Sequence, residues 1–83
     1  MPTVAIIEGV RIRLYANEHL PAHFHAVYAE FTAQIEIGSL RVMKGSLPPA
    51  KLAVVLSWAE TRRDVLLRTW NTVIAKEKPE KIT

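Results

Sequence analysis

The chain contains no cysteine, which excludes disulfide bridges and thiolate metal sites. No apolar run approaches the roughly 20 residues of a membrane span, and the N-terminus has no signal-peptide pattern. A cytoplasmic protein with no membrane association is therefore expected. The three glycines form no phosphate-cradling loop, and no serine or cysteine stands in a nucleophile motif. Internal repeats and low-complexity tracts are also missing.

What remains is a single small domain of 83 residues, 49% hydrophobic and 23% charged, a globular composition. A domain of this size buries only about 60–65% of the surface that its unfolded chain exposes. So thin a core favours a protein partner or a homo-oligomer. The formal charge is +3, and all of the excess lies after residue 47. That weak basic bias permits nucleic-acid contact without requiring it, and a solvated helix face accounts for it equally well.

Residues 10–16 alternate, with Val10, Ile12 and Leu14 on one side and Arg11, Arg13 and Tyr15 on the other, the pattern of a half-buried strand. Residues 22–28 and 31–37 read as two more strands. Gly38-Ser39 reads as a two-residue hairpin turn into a short fourth strand, Leu40 to Lys44. Residues 3–7 are a candidate additional strand, turning at Glu8-Gly9. After Pro49 the period becomes helical, and Leu52, Val55, Leu56, Ala59, Leu66, Leu67, Trp70, Val73 and Ile74 fall on one stripe. Ser46 is a candidate cap. Arg63 violates the stripe, and Thr61 with Asp64 has the spacing of a capping box, so a break or kink is expected near Thr61. The fold class is α+β: an antiparallel β-meander of about four strands packed on a C-terminal helix or kinked helix pair. Residues 1–78 form the domain, with 79–83 as a flexible tail.

All three histidines lie in Asn17–Ala26. On a strand, His23 and His25 share one face and Phe24 takes the other. With loops at 17–21, 29–30 and 38–39, two rows form on the polar face. One runs Tyr15, His23, Glu36, Arg41; the next runs Arg13, His25, Gln34, Met43. An imidazole acid/base pair, His23 and His25, with Arg13 and Glu36 beside it, would suit metal-independent phosphodiester cleavage. Alternatively, His23 and His25 could hold zinc with His19 or Glu36 as third ligand. The third reading is structural, with the imidazoles hydrogen-bonding the loop around Pro21. No cofactor is implied. On the helix, Val54, Trp58 and Val65 lie beside the main stripe, and a flank carrying Trp suits a protein interface. Tyr15 and Arg41 would take the same role on the sheet.

The run Asn17-Glu18-His19-Leu20-Pro21-Ala22-His23-Phe24-His25-Ala26, then Gly45-Ser46-Leu47-Pro48, then Leu56-Ser57-Trp58-Ala59-Glu60, resembles the DUF 4160 family over nearly the whole chain. The motif positions are His19, Pro21, His23, Phe24 and His25. The second hairpin departs from the family, with Ala29-Glu30 where a glycine-containing turn is common. The resemblance implies a small prokaryotic protein without an assigned catalytic residue. It also implies a neighbouring gene for a small DUF 2442-like protein, in an arrangement like a toxin–antitoxin pair. A protein-interaction component of such a module is the leading expectation. A ribonuclease-type enzyme and a zinc-dependent hydrolase are the alternatives.

Overall fold

The computed structural model describes residues 3–82. Five strands, β1 (Thr3–Ile7), β2 (Val10–Arg13), β3 (His23–Tyr28), β4 (Phe31–Glu36) and β5 (Val42–Gly45), are followed by helices α1 (Pro49–Glu60) and α2 (Arg63–Ile74). The strands pair in chain order, each antiparallel to the next. The expected meander is present, with the 3–7 segment as its fifth strand. Glu8 (φ 47°) and Gly9 (φ 84°) are both left-handed, the backbone that a tight two-residue hairpin needs.

The register separates two faces. Phe24 stands opposite Ile35, and Ala26 lies between Ile12 and Ala33. On the other face His25 lies between Arg13 and Gln34, and His23 opposes Glu36. The expected rows therefore hold across β2, β3 and β4 and keep Glu36 beside Arg41, but fail at Tyr15 and at Met43. β2 stops at Arg13, so Tyr15 does not pair with His23. At the other end, the ladder shifts between Gln34 and Ile35, so Gln34 faces Lys44 rather than Met43. The connection from β4 to β5, residues 37–41, is not the cause: Ile35 still faces Val42, the partner that a two-residue turn at Gly38-Ser39 gives, and Met43 is the extra residue of a bulge in the β4–β5 ladder. Leu40 adopts φ 59°, its N–H donates to Glu36 O at 2.8 Å, and Glu36 N–H donates to Arg41 O at 2.9 Å. Gly45 closes the sheet. Its φ is 79°, and a Cβ there would lie 2.1 Å from Thr32 O, so the approach of the two backbones requires glycine.

The helices cover the apolar face. Val10, Ile12, Leu14, Phe24, Ala26 and Ile35 are fully buried in one cluster with Val55, Ala59 and Leu66. Full burial of a side chain such as Phe24 is worth about 1.5–3 kcal/mol. Pro49 occupies the first turn of α1, where its missing N–H costs nothing. Ser46 does not cap that helix; the N-cap position is Pro48.

The break near Thr61 is present, but not the capping box. The N-cap of α2 is Arg62, without a side-chain cap bond. Thr61 Oγ1 (3.4 Å) and Arg62 Nη1 (2.9 Å) both donate to Trp58 O instead, closing the end of α1. In α2 the buried positions are Leu66, Thr69, Trp70 and Val73, while Arg63 is exposed. Leu67 and Ile74, on the stripe of an unbroken helix, turn outward. Beyond α2, Ile82 packs against the core and its N–H donates to Val4 O at 2.7 Å. No helix of the described residues is long and apolar enough to cross a membrane.

Candidate functional site

The connection from β2 to β3, residues 14–22, carries the polar cluster. Leu14 is fully buried and anchors its start. The Leu20–Pro21 peptide bond is cis, and Ala22 O accepts the Ile37 N–H at 2.9 Å, tying the end of the loop to β4. Between these anchors the chain turns Glu18 back onto the start of β3.

His23 is 4% exposed and packs against Trp70 of α2, with ring centroids 5.3 Å apart. Its Nδ1 lies 2.8 Å from Pro21 O. A carbonyl only accepts, so Nδ1 carries the proton. His23 Nε2 is buried and has no hydrogen-bond partner among the described residues; Glu18 Oε1 lies 3.5 Å away. His25 Nε2 reaches the same oxygen at 2.5 Å. The edge of the Tyr15–His25 ring pair closes the other side, with centroids 4.5 Å apart.

Burial opposes ionisation of Glu18. The hydrogen bond from His25 and the interactions with the imidazoles of His25 and His23 outweigh it and hold the carboxyl below its ordinary 4.5. Glu18 is therefore ionised at neutral pH. Its carboxylate and the two imidazoles present three ligand atoms within 4.8 Å of one another.

The remaining residues singled out in the sequence fall outside this cluster. Arg13 is the cross-strand neighbour of His25, and its Nε donates to Thr3 Oγ1 at 3.3 Å. Glu36 accepts from Ser39 Oγ at 2.9 Å and from Arg41 Nη2 at 3.4 Å. His19 is exposed. Trp58 is half-buried against the core with the Arg62 guanidinium 5.3 Å over its ring, and Val54 and Val65 are half-buried too.

Glu18 was not among the sequence candidates. Its spacing to His23 follows no regular element, and only the loop path brings it in. A second feature also escaped the pattern. Leu20 is 76% exposed, Leu67 47% and Ile74 36%. Leu20 borders two shallow hollows, one shared with Leu67, Arg63 and Asp64, the other with Ile74, Asn71 and Glu18. The three side chains therefore form one apolar corner beside the histidine cluster, with a polar rim.

No curated protein and no solved structure matches the chain. A family model does, over residues 9–71, and by that match the chain belongs to the family described as Domain of unknown function (DUF4160).

Proposed function

We propose that this protein is an interaction module that docks a small protein partner on the corner formed by Leu20, Leu67 and Ile74. The observation that carries the reading is the outward placement of these three large apolar side chains around two adjoining hollows. Scattered exposed apolar residues are ordinary, but a grouped set inside a polar rim is how interface centres are built. The partner that the family resemblance suggests is the DUF 2442-like product of an adjacent gene, in a toxin–antitoxin-like pair.

The ribonuclease alternative has less support. An acid/base pair must reach a large substrate, yet His23 is buried with Nδ1 committed to Pro21 O. Co-expression with the adjacent gene product tests the interaction. The two proteins should co-purify, and Leu67→Lys should abolish the complex while leaving the fold intact. Independent elution at micromolar concentration would count against the proposal.

A further inference from the structure

We propose that Glu18, His23 and His25 form a binding site for a borderline divalent transition metal of the zinc class. The inference is independent of partner docking and rests on three converging ligand atoms, one of them buried and without a partner among the described residues.

With Nδ1 engaged by Pro21 O, Nε2 is the ring nitrogen of His23 left to bind a ligand. That nitrogen lies 3.5 Å from Oε1 of Glu18. It is buried and has no hydrogen-bond partner among the described residues, and beside a carboxylate oxygen it points to a cation as occupant: a shared proton or a metal ion. The other contacts favour the metal. A backbone carbonyl on Nδ1 is the usual device that fixes an imidazole for metal binding through Nε2. A second imidazole nitrogen, from His25, approaches the same Glu18 oxygen.

One of the separations already fits a metal. Ligand atoms around a tetrahedral zinc, each about 2.0–2.2 Å from it, lie about 3.3–3.5 Å from one another. The His23–Glu18 pair is already at that spacing, and His25 needs to withdraw from its hydrogen bond with Glu18 to reach it. On binding, Nε2 of His25 gives up its proton to solvent and Nδ1 carries the one proton of the neutral ring. Two imidazoles and one carboxylate suit Zn²⁺ and its neighbours better than Mg²⁺ or Ca²⁺, which prefer all-oxygen shells. The side chains of His25 (17% exposed) and Glu18 (26%) leave one side open to solvent, where an ion enters and a water completes the coordination.

The test uses the untagged, chelator-treated protein titrated with zinc chloride by calorimetry and followed by thermal melting. The expected result is one ion per chain, with Tm rising by about 10 °C when free zinc is about 100-fold above its Kd. His25→Ala and Glu18→Gln should each weaken binding at least tenfold, with folding checked by circular dichroism. His19→Ala, which alters an exposed imidazole outside the cluster, should leave binding unchanged. If His23→Ala does not fold, the His25 and Glu18 variants still decide the matter. No heat and no Tm shift, or loss of binding in His19→Ala with retention in His25→Ala, would overturn the assignment. A proton would then be the occupant of the gap, or the surface imidazole the adventitious ligand.

Discussion

Glu18 Oε1 lies 2.5 Å from Nε2 of His25, and the same oxygen is 3.5 Å from Nε2 of His23, so a single loop carboxylate bridges the two imidazoles of β3. The bridge ties the β2–β3 connection to the sheet at the point where Trp70 of α2 packs. Its energetics depend on the carboxylate being ionised.

The pH dependence of the metal-free protein follows. The folded-state pKa of Glu18 is depressed, so its contribution is complete above the unfolded value and is lost as pH falls through the folded one. Wild type should be more stable than Glu18→Gln at neutral pH. The difference should shrink as pH falls below the ordinary 4.5. Because the carboxylate is partly exposed, the effect is modest. Denaturant melts across that range, in the presence of chelator, measure it; a gap that widens on acidification would contradict it.

The β3–β4 turn is a site of removable strain. Ala29 sits at φ 52°, where an L side chain costs about 1–2 kcal/mol. Replacing it by glycine removes that cost and adds about 0.5–1 kcal/mol of chain entropy to be lost on folding. Relief wins, and Ala29→Gly should raise Tm by about 4 °C. An unchanged or lower Tm would show that the turn is not strained.

Gly45 makes the opposite prediction. Alanine there would place its Cβ 2.1 Å from a backbone oxygen, Thr32 O, which cannot move without β4. Gly45→Ala should cost at least about 2 kcal/mol and lower Tm by on the order of 10 °C. Loss of amide protection should centre on the β4–β5 ladder. A melt within 2–3 °C of wild type, about half a kcal/mol, would contradict the steric account.

The apolar corner makes a prediction about stability as well as binding. Leu67 is 47% exposed, so Leu67→Lys should change unfolding free energy by no more than about 0.5 kcal/mol. A large destabilisation would mean that this side chain belongs to the core, as the continuous stripe suggested.

The sheet was legible because its alternation is strict. Phe24 against Ile35 and His25 between Arg13 and Gln34 follow from period-two patterning and a two-residue turn at Ala29-Glu30. Tyr15 and Met43 escaped because a loop began early and a bulge set Met43 out of the β4–β5 ladder. The exposure of Leu67 and Ile74 was hidden because both lie at the edge of the helical stripe, where hydropathy does not separate core from surface. Of the polar cluster, the two β3 histidines were visible, whereas Glu18 was not. Loop geometry brings it in, and loops carry no periodic signal.

The docking surface is the central claim, and residue-level shift mapping tests it most directly. The isotope-labelled chain would be titrated with the purified product of the adjacent gene while amide resonances are followed. The largest changes should fall at Leu20, Leu67, Asn71 and Ile74, with the open sheet face at Arg11, Val27 and Thr32 undisturbed. Changes centred on that sheet face, or no changes at saturating partner, would contradict the account.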